Sequence, residues 1–354
     1  MAAQGPRRRR WARFPDPGRC AIGAETKTSQ DDRREGIVIR ATGGHCLVAV
    51  DGETWRCQVR GRLKKGPRES QTVAVVGDRV VIEIGDAAAD PPTGVIAEVG
   101  ERCSRISRMA ARRSGGHIEQ VLMANLDQVV AVQSLRDPAP QTGFVDRLLV
   151  AAERFGVAGV LVLNKTDLVA DGELAAEEAR WSYYEGLGYR VVWAAAASGR
   201  GVDDLREVLT DRISLLIGAS GVGKSSLLNA IQPGLRLRVN EVTEKTGLGR
   251  HTTTRTELFP LRGGGFIADS PGIRGFDPWD MDILDVREHF PDFRDPSGAC
   301  RFRSCLHRDE PDCGVKNAVA LGEIPPWRHE AYLALLAGLE ERQTRAGRRP
   351  GGRS

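Results

Sequence analysis

No stretch of the 354 residues comes near the roughly 20 consecutive apolar residues that a membrane-spanning helix needs. No membrane partner is therefore expected. A secretory leader is not expected either, because residues 1–20 are rich in arginine and have no apolar centre. Cysteine is sparse, and seven in a chain of this length do not make a disulfide scaffold. A dominant charge sign is missing too: 51 Lys and Arg stand against 47 Asp and Glu, a formal net charge of +4. That balance excludes a wholly basic nucleic-acid coat but leaves room for a local basic patch. What remains is a cytoplasmic protein, 41% hydrophobic, with length for two or three domains.

The charge and the cysteines are unevenly placed. Residues 1–34 hold nine Lys and Arg against four Asp and Glu, an excess of five that exceeds the whole chain's +4. Without apolar periodicity they read as a disordered basic arm, either a solvated tail or a nucleic-acid-binding segment. Over residues 35–108 the pattern changes to short alternating runs: Gly36–Arg40, Cys46–Val50, Trp55–Val59, Val80–Ile84 and Val95–Val99. Turn residues such as Asp51-Gly52 and Pro91-Pro92 separate them, which predicts an all-β barrel of the oligonucleotide-binding (OB) type. The basic loop from Arg60 to Arg68 is either a nucleic-acid contact or a solubilising turn.

Residues 109–277 predict an α/β domain. The apolar runs Gln128–Gln133, Val157–Leu163, Tyr189–Trp193, Ile213–Ile217 and Phe266–Ala268 alternate with helical spacing at Phe144–Phe155 and Asp203–Leu209. Such alternation implies a parallel sheet covered on both faces. Residues 278–345 are expected to form a further domain ending in a helix from Trp327 to about Arg345, with 346–354 a disordered tail.

Directly after Ile213–Ile217 stand Gly218, Ala219, Ser220, Gly221, Val222, Gly223, Lys224, Ser225 and Ser226, which satisfy G-x-x-x-x-G-K-[ST] between a strand and a helix. Glycines let successive N–H groups turn inward onto phosphate oxygens, and the helix N-terminus adds positive potential. Lys224 would reach the β- and γ-phosphates, and the Ser225 hydroxyl would ligate Mg²⁺. Asn164, Lys165, Thr166 and Asp167 form an N-K-x-D tetrapeptide at the end of another apolar run. The Asp167 carboxylate can accept from guanine N1–H and the exocyclic amine, a donor pair that adenine lacks. Asn164 and the Lys165 stem would hold the edge and face of the base. Alone the tetrapeptide is an ordinary capped turn; beside a phosphate loop it identifies a guanine nucleotide site.

Two further pieces complete the set. Asp269, in Asp269-Ser270-Pro271-Gly272, would hold Mg²⁺ through water, and the Gly272 N–H would sense the γ-phosphate. In Gly249-Arg250-His251-Thr252-Thr253-Thr254, Thr254 is the preferred switch ligand for Mg²⁺. The order is unusual. A conventional GTPase places its base reader last, whereas here it precedes the phosphate loop, so the domain is circularly permuted. The segment after Gly272 should then move when GTP becomes GDP.

Cys300, Cys305, His307 and Cys313 offer four ligands within 14 residues. Three thiolates and an imidazole satisfy tetrahedral Zn²⁺ with no open position, which predicts a structural site. Arg301, Arg303 and Arg308 lie between the ligands and would offset its charge, or contact RNA phosphates. Cys20, Cys46, Cys57 and Cys103 are expected to be isolated buried residues.

In combination, GASGVGKSSLLNA at 218–230, GRHTTT at 249–254, DSPGIR at 269–274 and CRFRSCLH at 300–307 resemble the ribosome small subunit-dependent GTPase A (RsgA) family. VVGDRV at 75–80 and NLDQVV at 125–130 fit as well. The resemblance covers residues 35 to 340, leaving the Arg-rich arm outside. It implies an OB-type barrel, a permuted GTPase domain and a C-terminal zinc domain. It also implies GTP hydrolysis during late maturation of the small ribosomal subunit, stimulated by the subunit and its rRNA and coupled to release from it. A monomer is expected. Two departures stand out. Ile273 occupies the position where many GTPases carry a water-orienting glutamine, which leaves His251 as a substitute or as a structural switch residue. The guanine-backing loop reads Ala194-Ala195-Ala196-Ala197-Ser198 where a serine is usual near residue 195, so backbone N–H groups would face guanine O6. Two rival readings are a GTP-gated RNA-binding switch with negligible catalysis, and a P-loop ATPase or kinase.

Overall fold

Short runs of alternating polarity build the first unit of the computed structural model, which describes residues 32–42, 44–64, 73–111, 117–235, 256–269 and 281–347. Strands β1 (Arg33–Thr42), β2 (His45–Val50), β3 (Glu53–Val59), β4 (Arg79–Ile84) and β5 (Thr93–Val99) follow in the order β1-β2-β3-β5-β4. A further β1–β4 pairing closes them into a barrel. Its inward positions, among them Val38, Val48, Trp55, Val80, Ile82 and Ile96, form one apolar cluster. The β2–β3 turn is Asp51-Gly52 with φ of 50° and 84°, the two-residue geometry that matches the twist of a hairpin.

A two-stranded ribbon, β6 (Arg105–Ala111) and β7 (His117–Ala124), follows the barrel. The chain then enters β8 (Gln128–Ser134), α1 (Thr142–Phe155), β9 (Ala158–Asn164), α2 (Asp171–Gly186), β10 (Arg190–Trp193), α3 (Val202–Leu209), β11 (Ile213–Ile217), α4 (Lys224–Ile231), β12 (Glu257–Pro260) and β13 (Phe266–Asp269). These strands lie in the order β10-β9-β8-β11-β13-β12. The sheet is covered on both faces, as alternate residues of β8 demonstrate. Val129 and Ala131 pack with Leu148, Trp181 and Tyr184 of α1 and α2, whereas Val130 and Val132 pack with Leu205, Leu227 and Leu228 of α3 and α4.

Two expectations need correction, and one contact joins the units. The sheet is not wholly parallel, because β12 runs antiparallel to β13. Only residues 261–265 join them, too few for the crossover that a parallel neighbour requires. Through β12 the sheet also meets the barrel, with Glu257 paired to Arg40 of β1 by backbone register and by a salt bridge. Finally, Cys103 is exposed and disulfide-bonded rather than buried and isolated, since it lies in the connection between β5 and β6, away from any apolar cluster. Cys20 lies outside the described residues, whereas Cys46 and Cys57 are buried free thiols.

The C-terminal unit comprises α5 (Ile283–Val286), α6 (Arg294–Ser297), α7 (Gly314–Ala320) and α8 (Pro326–Gly347). It is fastened to the nucleotide domain by a buried charge cluster. Arg328 is fully buried and donates two hydrogen bonds to Asp292, at 3.0 and 2.9 Å, and another to Asp146 of α1. Tyr184 of α2 donates to Asp146 at 2.6 Å, and Tyr183 to Asp292 at 2.8 Å. Burial pushes the Asp146 carboxyl above its ordinary range. Val150 of α1 also joins the apolar core of the C-terminal unit. Replacing Arg328 would leave two buried carboxylates without their cation. Arg328→Met is therefore expected to cost about 3–5 kcal/mol in urea unfolding; a change below about 1 kcal/mol would contradict this role for the cluster.

Candidate nucleotide-binding site and metal centre

The carboxyl ends of β8, β9, β11 and β13 share one edge of the sheet, and β8 separates the strand reached next, β9, from the strand reached later, β11. Ligands of open α/β sheets bind at such a reversal of strand order. The phosphate loop leaves β11 here. Gly218 has no room for a side chain, since a Cβ there would sit 2.4 Å from the Val132 carbonyl oxygen. Gly223 has φ of +92°, and a Cβ there would lie 2.2 Å from Asn164 Nδ2. Val222 anchors the loop in the apolar cluster below, while Ser220, Gly221, Ser225 and Ser226 are exposed. Ala219 is half-buried. Lys224 is 7% exposed and folds back, its Nζ donating to the carbonyls of Gly218 (2.9 Å) and Ala219 (2.7 Å).

The base-reading residues arrive from β9. Asn164 is buried, and its amide ties three loops together. Its Nδ2 donates to the Val222 carbonyl at 2.9 Å, and its Oδ1 accepts from the Ala196 N–H at 3.2 Å. Lys165 is in the left-handed region with φ of 62°, and its Nζ donates to the Asp137 carbonyl in the β8–α1 connection. Thr166 is buried, its N–H donating to the Ala194 carbonyl at 3.2 Å. Asp167 is exposed, which leaves its carboxylate open to a base. The β8–α1 connection adds contacts that sequence spacing did not disclose. Ser134 Oγ donates to the Pro138 carbonyl at 2.7 Å, which sets Pro138 beside Gly221. No motif marks Ser134, Asp137 or Pro138.

The fold thus brings together Gly218–Ser226, Asn164–Asp167 and the end of β13 at Asp269. His251, Thr254, Gly272 and Ile273 lie outside the described residues, as do the basic arm before residue 32, most of the charged loop after Lys64 and the tail after Gly347. Because Asn164 satisfies the buried Val222 carbonyl and the part-buried Ala196 N–H, Asn164→Ala leaves both unpaired, at about 1–3 kcal/mol for the buried one. GDP affinity is expected to fall at least tenfold by calorimetry; an unchanged affinity would show that the loops hold without it.

Cys300, Cys305, His307 and Cys313 present ligand atoms that all lie within 4.8 Å of one another. Cys300 Sγ and Cys313 Sγ are 3.9 Å apart, and His307 Nδ1 lies 3.6 and 3.3 Å from them. A tetrahedron with Zn–S of about 2.3 Å and Zn–N of about 2.0–2.1 Å requires edges of about 3.8 and 3.6 Å. The fit extends to the surroundings. Ser297 Oγ meets His307 Nε2 at 3.2 Å, leaving Nδ1 directed at the sulfurs. The N–H groups of Gly314 and Lys316 point at the sulfurs of Cys300 (3.3 Å) and Cys313 (3.5 Å). Burial, followed by the charge of Arg287, lowers His307 to about 4, which keeps the imidazole neutral and able to ligate. The donor set is compatible with zinc. Arg301 and Arg303 are exposed, and Arg308 pairs with Glu340.

Comparisons with known proteins agree with this geometry. The family model described as RsgA GTPase matches residues 99–279, and that described as RsgA N-terminal domain matches residues 35–90. A curated relative from Moorella thermoacetica, named small ribosomal subunit biogenesis GTPase RsgA, is 40% identical over 309 residues, covering 87% of this chain and 98% of its own. A relative of the same name from Gemmatimonas aurantiaca is 41% identical over 302 residues, covering 85% and 95% respectively. Among solved structures, YjeQ from Thermotoga maritima matches with a TM-score of 0.68 and 34% identity, covering 87% of this chain and 98% of that one. YloQ, described as a circularly permuted GTPase, matches with a TM-score of 0.66 and 29% identity over 90% of this chain and 99% of that one. With its strand order, its loops and these matches in agreement, the chain belongs to the RsgA GTPase family.

Proposed function

We propose that this chain hydrolyses GTP while bound to the small ribosomal subunit, during the subunit's late maturation, and that the subunit stimulates hydrolysis, which then releases the protein. Its standing as a GTP-hydrolysing enzyme follows from family membership. The observation that carries the reading is the meeting of the phosphate loop and Asn164–Asp167 on one sheet edge, through the shared amide of Asn164. Relatives across 85–88% of this chain bear the name small ribosomal subunit biogenesis GTPase RsgA, which supports the choice of partner.

In this reading Lys224 leaves the carbonyls of Gly218 and Ala219 to neutralise the β- and γ-phosphates. The loop N–H groups from Gly218 to Ser226 cradle the phosphates. Asp167 accepts the guanine N1–H and amine protons, while Lys165 covers the base and Thr166 braces the turn. Ser225 and Thr254 would hold Mg²⁺ together with Asp269, and the Gly272 N–H would read the γ-phosphate. When bound, Mg²⁺ neutralises charge on the phosphates. Ile273 cannot orient water, so His251 takes that task. Zn²⁺ on Cys300, Cys305, His307 and Cys313 serves structure alone. The protein works as a monomer in the cytoplasm, contacting the subunit's rRNA. Among the described residues no helix is long and apolar enough to cross a membrane.

Sedimentation with purified small subunits tests the coupling to release. The chain should pellet with subunits in the presence of a non-hydrolysable GTP analogue and stay in solution with GDP. Equal pelleting in both states would contradict it.

A further inference from the structure

The segment that ends β8 and leads toward α1, Ser134–Pro138, touches both halves of the nucleotide site. The Pro138 ring reaches the phosphate loop, its Cδ 3.6 Å from where a Cβ on Gly221 would stand. The Asp137 carbonyl accepts from Lys165 Nζ. Ser134 itself lies beside Asn164 in the β8–β9 register, and the Leu135 N–H donates to the Asn164 carbonyl at 3.0 Å.

The path of this segment is fixed from several sides. Ser134 is fully buried, and its Oγ donates to the Pro138 carbonyl at 2.7 Å, which closes a tight turn. Leu135 is fully buried in the apolar cluster that holds Val145 and Leu148 of α1. Arg136 donates from Nη1 to the Leu135 carbonyl at 2.7 Å and to Glu177 at 3.2 Å, and from Nη2 to Glu173 at 2.7 Å. Both glutamates stand on α2, one turn apart, and α2 is the helix that follows the base-reading turn. Glu177 is steadied in turn by Trp181 Nε1 at 3.2 Å. At the far end Gln133 Oε1 accepts from the Gln141 N–H at 3.1 Å, where α1 begins.

A lysine whose ammonium is tied to a fixed carbonyl has already lost much of the freedom of its stem, so covering a base costs it little further entropy. A proline ring seated against the phosphate loop restricts that loop in the same way. Preorganisation of this kind is felt mainly in how slowly a ligand leaves. We propose that Ser134–Pro138 form a strap that holds the phosphate loop and Lys165 in the nucleotide-retaining arrangement, with Ser134 and Arg136 as the positioning residues that set the rate of GDP release. Ser134 acts through Pro138 on Gly221 and through Asp137 on Lys165. Arg136 acts by fastening the strap to α2. The proposal rests on the reading of Gly218–Ser226 and Asn164–Asp167 as a guanine nucleotide site.

The test uses the full chain loaded with N-methylanthraniloyl-GDP and Mg²⁺ and chased with excess GDP, with dissociation followed by stopped-flow fluorescence. Ser134→Ala removes one hydrogen bond and is expected to speed dissociation about three- to tenfold. Arg136→Gln loses the fork to Leu135, Glu173 and Glu177 and is expected to speed it about two- to fivefold. Association should stay within about twofold in both. A role confined to stability would shift the urea midpoint of these variants and leave dissociation where it was. Ser134→Ala combined with Lys165→Met should give less than the product of the two separate effects, since both act on one contact. Wild-type dissociation in both single variants, or the full product in the combined one, would overturn the strap. A chain that retains no GDP, or that retains it equally well in Asp167→Asn, removes the guanine site and the strap with it. GDP held through Asp167 yet released at the wild-type rate from Ser134→Ala and Arg136→Gln removes the strap alone.

Discussion

Asp167→Asn should convert a guanosine-nucleotide site into one that prefers xanthosine nucleotides. Asp167 stands exposed just past the end of β9, while its neighbours Asn164 and Thr166 are buried and fixed to adjoining loops. The substitution therefore changes the reading atom without disturbing its support. A carboxylate offers only acceptors, which match the two donors on guanine; an amide turns one acceptor into a donor that opposes the guanine amine. Xanthine carries a carbonyl in place of that amine and accepts from the same amide. Two hydrogen bonds to a charged group are worth about 1.5–3 kcal/mol each, so GDP affinity should fall by about 10²–10⁴-fold. XDP affinity should rise by a comparable factor, and the sum of the two effects makes this the largest expected change in ligand preference. Competition against a fluorescent nucleotide measures both. GDP affinity that survives Asp167→Asn would mean that Asp167 does not read the base, and would restore the ATPase or kinase alternative.

Removing the metal should have the largest effect on stability. The C-terminal unit is small, and its apolar core includes two of the proposed ligands, Cys305 and Cys313, beside Phe290, Phe293, Tyr332 and Leu336. His307 packs edge-on to Phe293, with ring centroids 5.8 Å apart. Without a metal those buried thiols remain protonated; burial lifts Cys305 to about 12. A core of this size needs a cross-link, and structural zinc supplies an apparent binding energy of about 10–16 kcal/mol in small zinc domains. Elemental analysis should find about one zinc per chain, as expected of a closed four-ligand site. Cys305→Ser, or a strong chelator, should remove it and abolish the near-ultraviolet dichroism of Phe290, Phe293 and Tyr332. The damage should spread to α1, because Val150 belongs to the same core and Asp146 binds Arg328. Full zinc content and unaltered unfolding in Cys305→Ser would refute the assignment.

Much of this architecture was legible in the residues, for local reasons. The barrel strands stand out because their apolar residues alternate between turn formers, and the phosphate loop because its glycines sit between an apolar strand and a helix. The clustering of Cys300, Cys305, His307 and Cys313 was legible from spacing, since all four fall in one short loop. Helix α2 was not, because its Asp171–Gly186 sequence is mostly polar, with Trp181 and Tyr184 supplying its fully buried side chains. The β6–β7 ribbon lacked any signal that set it apart from its neighbours. The contacts that join units were hidden for a different reason. Asp146 and Arg328 are 182 positions apart, and Arg40 and Glu257 are 217, so nothing local marks either pair. Asn164 stood out by its motif, but its grip on Val222 and Ala196 depends on three loops that meet only in the fold. Cys103 misled because its residue type favours burial while its place between two strands does not.

GTP turnover titrated with purified small ribosomal subunits, at low and at physiological salt, tests the proposed function most directly. Turnover by the chain alone should be slow, since Ile273 cannot orient water. It should rise severalfold or more as subunits are added, saturate near one subunit per chain, and require more subunits at higher salt, as an RNA-rich partner demands. His251→Ala should reduce the stimulated rate while leaving GTP affinity intact. Turnover that stays flat across the titration at both salt concentrations would contradict the account and leave the GTP-gated switch in its place.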